Sequence, residues 1–283
     1  MSVKIIADST CDLSKELLER YDISVLPLHI VLGNKEYKDG LEISPDEIYQ
    51  WSNKNNAAPK TSAASISDAM EIFNTYMKTY DEIICFSISG QMSTTVNVLR
   101  MAAEELEAED KIHIIDSENL STGGGLLVIE AAIMAADGID GNEIVNAIEQ
   151  LKPQVRASFI VDTLTFLHRG GRCSGVAALA GGALKLHPKI VVENGAMKPD
   201  KKYRGKMSSA ILTYAKELEP QLRNAKTDRV FITHSGCTEE TIQGVHKYLE
   251  ELDLFDEILI TRAGGVISSH CGPGTLGVLF IEN

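Results

Sequence analysis

Residues 82–106 read EIICFSISGQMSTTVNVLRMAAEEL, and the change of period within this stretch decides the fold. Glu82–Ser87 is a short apolar run that predicts a strand, and the pattern becomes helical from about Thr94 to Leu106. A second strand follows at Lys111–Asp116, so the chain reads strand, helix, strand, the alternation of an α/β protein. Between the first strand and its helix lies Ser89-Gly90-Gln91-Met92-Ser93-Thr94-Thr95, a loop rich in hydroxyls.

The alternation continues outward in both directions. Upstream, Val3–Ala7 is an apolar strand, and Asp12 is expected to cap a helix over Leu13–Tyr21. Ile23–Leu32 reads as one strand, and Gly33-Asn34 turns it into a second near Tyr37. Ser44-Pro45 opens a helix, Lys60-Thr61-Ser62 falls in a polar loop, and Ser67 caps a helix to about Tyr80. Downstream, Ser121–Gly125 precedes a helix over Leu126–Ala136, and another covers Asn142–Leu151.

After Lys152-Pro153 the pattern resets. Strand Ala157–Val161 leads to a helix near Thr163–Arg169 and then to a small-residue helix, Val176–Leu186. Lys189–Glu193 and Ala196–Tyr203 form a hairpin about Asn194-Gly195, the strongest short hairpin signal. Helices Met207–Leu222 and Glu239–Leu252 alternate with strands Arg229–His234, Glu257–Arg262 and Leu276–Ile281. Two α/β halves in contact follow, residues 1–153 and 154–283.

Composition excludes several classes of function. The 283 residues are 44% hydrophobic and 24% charged, which rules out disordered, collagenous and disulfide-scaffold chains. With 27 Lys and Arg against 40 Asp and Glu, the formal charge of −13 opposes binding to nucleic acid or an anionic membrane. Five well-separated cysteines without a C-x-x-C pair fit free thiols in a reducing compartment. The N-terminus lacks the apolar stretch of a signal peptide, and the most apolar runs are too short for a transmembrane segment. A cytoplasmic protein is the expectation.

Enzyme motifs are absent. Gly272-Pro273-Gly274-Thr275-Leu276-Gly277 has the letters of a dinucleotide fingerprint but neither the following helix nor the later acidic residue, and reads as a tight turn. No Walker A, G-x-S-x-G or H-E-x-x-H pattern occurs, and no metal site is expected. What remains is a set of hydroxyl-rich loops beyond the strand ends: Asp8-Ser9-Thr10, Ser89–Thr95, Asp116-Ser117 with Ser121-Thr122, and Lys60-Thr61-Ser62. Any one of them can be a helix cap or turn. Together they form a rim able to donate hydrogen bonds to a carboxylate or phosphate, helped by helix N-termini.

The segments Ala7-Asp8-Ser9-Thr10, Lys60-Thr61-Ser62, Met92-Ser93-Thr94-Thr95, Phe159–Gly175, Tyr203-Arg204-Gly205 and Ser269–Gly277 resemble the DegV family of bacterial fatty-acid-binding proteins, in order along the whole chain. The resemblance implies an N-terminal three-layer α/β/α domain carrying the head-group loops and a C-terminal α/β domain carrying an acyl tunnel, with the ligand at their interface. It implies one bound long-chain fatty acid and no cofactor. It also implies the role of a lipid carrier subunit that presents the carboxylate to a fatty acid kinase, for acyl phosphate formation and phospholipid synthesis.

Carried over by residue, Thr61 and Ser93 would hydrogen-bond the carboxylate, Ser62 would add its backbone N–H, and His270 would join the same network. Arg172 and Arg204 would meet the kinase or the incoming phosphate, since arginine suits planar anions. This chain departs from the family pattern at Thr94, where Gly is usual, and at Ala63-Ala64, where Gln-Pro is commoner. The small-residue run Val176–Leu184 reads first as close helix–sheet packing, with the lining of a tunnel as the alternative, since Gly and Ala leave room beside a helix. The competing reading is a hydrolase or transferase acting on an acyl ester or a small phosphorylated compound through Ser93 and His270. A lipid sensor with some other partner is a third.

Overall fold

The computed structural model describes residues 2–173 and 186–283. Strands β1 (Val3–Asp8), β2 (Ile23–Leu26), β6 (Glu82–Ser87) and β7 (Ile112–Asp116) form a parallel sheet in the order β2-β1-β6-β7. A small antiparallel sheet, ordered β4-β3-β5, joins β3 (His29–Leu32), β4 (Lys35–Lys38) and β5 (Lys60–Ser62). The remaining six strands are β8 (Val155–Ile160), β9 (Leu186–Glu193), β10 (Ala196–Arg204), β11 (Arg229–Ser235), β12 (Glu257–Arg262) and β13 (Thr275–Ile281). They lie in the order β10-β9-β8-β13-β11-β12, and only β11 and β12 run parallel.

Strands β1 and β6 are buried at every residue, as parallel strands covered on both faces must be. Helices α1 (Lys15–Arg20) and α2 (Pro45–Asn55) precede the two that cover one face, α3 (Ile66–Tyr76) and α4 (Thr95–Glu105). There Ile6, Ile83 and Cys85 meet Phe73 and Leu99. On the other face Ile5, Ile84 and Phe86 meet α5 (Thr122–Ala136) and α6 (Gly141–Leu151), completing three layers.

Helix α5 also packs against the six-stranded sheet. Its Leu126, Leu127 and Ile129 share one core with Ala157, Phe231 and Leu279, so the helix lies between the two sheets. A helix apolar on every side is what such a position demands. The far face of the six-stranded sheet is closed by the helices Met207–Glu217 and Glu239–Leu252, through Ile211, Tyr214, Val245 and Leu249.

Several local expectations change for tertiary reasons. The helix expected from Leu126 begins at Thr122 and takes in Gly123-Gly124-Gly125. A Cβ on Gly125 would lie 2.7 Å from the Cys11 carbonyl oxygen, and one on Gly123 would lie 3.2 Å from Ala157 Cβ. The glycines thus let the helix enter between the sheets. Asp12 does not cap α1; Ser14 does, and Asp12 stands in the left-handed region at φ 52° with its carboxylate turned to Gly264. The run Ile23–Leu32 breaks at Pro27 into β2 and β3, which belong to different sheets.

Lys60–Ser62 is an edge strand rather than a loop. Ser65, not Ser67, caps α3 through a box with Asp68, and the helix ends at Tyr76. Met207–Leu222 divides before Pro220 into helices Met207–Glu217 and Glu219–Leu222. A helix at Gly265–Cys271 was not anticipated. The hairpin β9–β10 turns at Asn194 (φ 49°) and Gly195 (φ 76°), as its sequence predicts. Of the expected helix Val176–Leu186, Leu186 begins β9 and the rest lies outside the described residues. Among the described residues no helix is long and apolar enough to cross a membrane.

Candidate functional site

The loops beyond β1, β6 and β7 are tied together by the carboxylates at the strand ends. Asp8 accepts from the Thr10 N–H at 2.9 Å, the Thr10 hydroxyl and the Ile88 N–H at 2.8 Å. Asp116 accepts from the Gly90 and Glu118 N–H groups. Ser89 then donates to the Gly195 carbonyl at 2.6 Å, joining the β6 loop to the turn of the β9–β10 hairpin. These side chains shape the rim without lining its floor.

Beside this rim lies a cleft of about 480 Å³, within the range of small-molecule sites. Its lining combines the apolar side chains of Leu28, Ile88, Met92, Leu120, Met197 and Ile267 with Thr61, Ser62, Ser93, Thr94, Arg172 and His270. The structure therefore brings five of the six proposed residues to one cavity, from β5, the α4 N-terminus, the segment after α7 (Thr165–Gly170) and the helix Gly265–Cys271. The sixth, Arg204, ends β10 opposite Leu186, exposed and not part of the lining. It lies seven residues past Met197, about 23 Å along a strand.

His270 Nε2 lies 2.8 Å from Thr61 Oγ1. Among the described residues the buried Nδ1 of the ring has no hydrogen-bond partner; it lies against the backbone of Gly170, whose carbonyl accepts from the Arg172 guanidinium at 2.6 Å. Burial first, and the Arg172 charge second, hold the His270 pKa down at about 4, so the imidazole is neutral at physiological pH. A bare lone pair at the buried Nδ1 costs less than an orphaned N–H there, which favours the proton on Nε2. Nε2–H then donates to Thr61, and the Thr61 hydroxyl proton is left to point at a ligand.

Ser93 is arranged in the same way. Its Oγ accepts from the Thr95 N–H at 3.2 Å and lies 2.8 Å from the hydroxyl of the buried Thr95. When the Thr95 hydroxyl donates as its N–H does, the Ser93 proton is left for the cleft, at the N-terminal end of α4. The Ser62 side chain is exposed and lies 3.4 Å from Glu36, on the edge strand β5. Among the described lining residues, neutral hydroxyls and the neutral His270 imidazole thus stand with a single cation, Arg172.

The helix that carries His270 starts at Gly264, which has no side chain to cap it. Asp12 accepts from the Gly264 N–H at 2.7 Å and from the Ser121 hydroxyl. Asp8, Asp12 and Asp39 are buried close together without an ion-pair partner among the described residues. Burial, reinforced by the other two carboxylates, pushes Asp12 up to about 8.

The sign of the linkage follows. With its folded pKa above the unfolded value near 3.8, Asp12 contributes stability below about pH 4 that is lost as pH rises to about 8. His270, depressed from 6.5 to about 4, acts oppositely, losing stability as pH falls below 6.5. Between pH 6.5 and 8 the His270 contribution is complete while that of Asp12 is still being lost, so the melting temperature should fall with rising pH. Asp12→Asn should flatten that slope, which a thermal melt at half-unit pH steps measures; an unchanged slope would exclude Asp12 as its source.

A family profile described as an uncharacterised protein of the DegV family matches residues 2–283, and the chain belongs to the DegV family. It is 32% identical over 289 residues to a DegV domain-containing protein of Caldanaerobacter subterraneus, covering 99% of each. Among solved structures it is similar to a DegV family protein from Thermus thermophilus described by its fatty acid binding, with a TM-score of 0.92, 30% identity and full coverage of both chains. It is also similar to a stearic acid-binding protein from Eubacterium ventriosum, with a TM-score of 0.86, 29% identity and coverage of 99% and 98%.

Sequence reasoning missed the helix Gly265–Cys271 and the carboxylates at its start, Asp12 and Asp39. The signal was the pair Gly264-Gly265 directly after a strand, where backbone N–H groups lie open to an acceptor from elsewhere.

Proposed function

We propose that this chain binds one long-chain fatty acid in the cleft, with its carboxylate at Thr61, Ser62, Ser93 and His270, and presents that carboxylate to a separate fatty acid kinase. The observation that carries the reading is the composition of a single cavity, in which apolar side chains and the neutral Thr61, Ser93 and His270 share one lining. The fatty acid binding described for similar DegV structures supports it.

Each buried methylene contributes roughly 0.8 kcal/mol, so about fifteen supply on the order of 12 kcal/mol before the entropy of ordering is subtracted. The tail can therefore carry the affinity, and the head needs only modest donors. Neutral donors also suit a carboxylate that must attack a phosphoryl group, because a tight bidentate cation would stabilise the ground-state anion.

The hydrolase alternative has less support. It needs His270 as a base on Ser93, whereas His270 Nε2 is engaged by Thr61 and Ser93 by Thr95. In this account the kinase supplies catalysis and the nucleotide site, while Arg172 at the margin and Arg204 on the exposed end of β10 serve the encounter.

With ATP and a bacterial fatty acid kinase, the loaded chain should yield acyl phosphate. Arg204→Ala should retain the fatty acid and slow transfer at least tenfold, the scale of one lost charge-assisted contact. Equal loss of binding and transfer would refute the division of labour.

A further inference from the structure

Thr61 and His270 come from distant parts of the chain, and one buried side chain outside the cleft joins the elements that carry them. Asp39 follows β4, in the small sheet whose β5 holds Thr61. Its N–H donates to the Leu28 carbonyl at 2.8 Å, fixing it to the start of β3. Its carboxylate reaches the helix Gly265–Cys271, where Oδ1 accepts from the Gly265 N–H at 2.8 Å and Oδ2 from the Val266 N–H at 3.3 Å. Oδ2 also accepts from the Ser9 hydroxyl at 2.8 Å. Ser9 in turn takes the Leu28 N–H at 3.1 Å.

The approach is close enough to require glycine. A Cβ on Gly265 would lie 2.7 Å from Asp39 Oδ1 and 2.4 Å from Ile30 Cδ1. Asp39 is only 3% exposed and is not part of the cleft lining.

We infer that Asp39 is a positioning residue for the head of the cleft: by capping the His270 helix from the sheet that carries Thr61, it sets the spacing of the Thr61–His270 pair. The inference rests on the reading of that pair as the carboxylate site. Two adjacent N–H groups on one carboxylate fix the helix start in both translation and rotation, and the negative charge complements the exposed N–H end. Hydrogen bonds weaken steeply with lost distance and angle, so a slip of about 1 Å at Gly265 is enough to part Nε2 from the Thr61 oxygen. The Thr61 proton is then no longer held toward the ligand.

Asp39→Asn preserves shape but turns an amide NH₂ toward either Gly265 or Val266, removing one of the two acceptors. The milder Ser9→Ala loosens the Asp39 carboxylate without touching the helix. Two measurements read the effect. In ligand-free protein, ¹⁵N NMR of the imidazole should show His270 as a single Nε2-protonated ring in the wild type. In Asp39→Asn it should shift toward a mixture of tautomers, with Ser9→Ala between.

In ligand titrations, Asp39→Asn should weaken a C16 fatty acid roughly tenfold and its methyl ester less than about twofold, because the aligned donors hold a charged carboxylate far more strongly than a neutral ester carbonyl. An unchanged His270 spectrum in both variants would overturn the inference, as would equal weakening of acid and ester. If the wild type binds neither ligand, the fatty acid reading fails, while the ring spectrum still decides the role of Asp39.

Discussion

Thr61→Val is expected to weaken the affinity for a long-chain fatty acid by about 10- to 100-fold. In the proposed site the Thr61 hydroxyl donates to the carboxylate while accepting from His270 Nε2, 2.8 Å away. A hydrogen bond to a charged group is worth about 1.5–3 kcal/mol, and each 1.4 kcal/mol is tenfold. Valine adds a second penalty, because the Nε2–H then faces a methyl group in a largely buried site.

The fold should tolerate the change. Thr61 sits in β5, paired with Ile30, where a β-branched residue of the same shape suits an edge strand. The melting temperature should accordingly move by only a few degrees, a shift worth about 1 kcal/mol or less. Thr61→Ser, which keeps the hydroxyl, should recover most of the affinity. Titration of the three proteins with one fatty acid checks this, and a loss below twofold for valine would remove Thr61 from the site.

The second large effect concerns stability. Leu127 is fully buried on α5, in the core shared by the two sheets. Leu127→Ala should destabilise the protein by about 2–5 kcal/mol, through lost transfer free energy and a cavity that packed sheets on either side cannot collapse to fill. Because the same helix touches both sheets, the loss should appear in one cooperative transition. The single tryptophan, Trp51 on α2, reports on the elements around the small sheet, whereas far-UV circular dichroism averages over the chain. Both denaturation midpoints should fall together. If one moves and the other stays, the sheets unfold separately and α5 does not couple them.

The parts of this structure legible in the sequence are those with local causes. The apolar runs at Val3–Asp8 and Glu82–Ser87 are strands because both faces are covered, and Asn194-Gly195 is a hairpin turn because both residues adopt positive φ. Hydroxyls after the strand ends were visible for the same reason, since parallel strands put their following loops at one edge.

The features that escaped have causes far away in the chain. Gly123–Gly125 read as a loop by propensity, and only the space between two sheets makes it a helix start. The helix Gly265–Cys271 lacks its own cap because Asp12 and Asp39 provide one from more than 200 residues away. The Thr61–His270 contact likewise has no periodicity to announce it, and only the family resemblance put these two residues in one site.

The central claim, that the cleft holds one long-chain fatty acid, is tested most directly by mass spectrometry of an organic extract. The full chain would be purified after expression in a bacterium, and again after incubation with a mixture of fatty acids. The account predicts close to one C14–C18 fatty acid per chain, lost in proportion to affinity in Thr61→Val. An extract that remains empty after that incubation would contradict it.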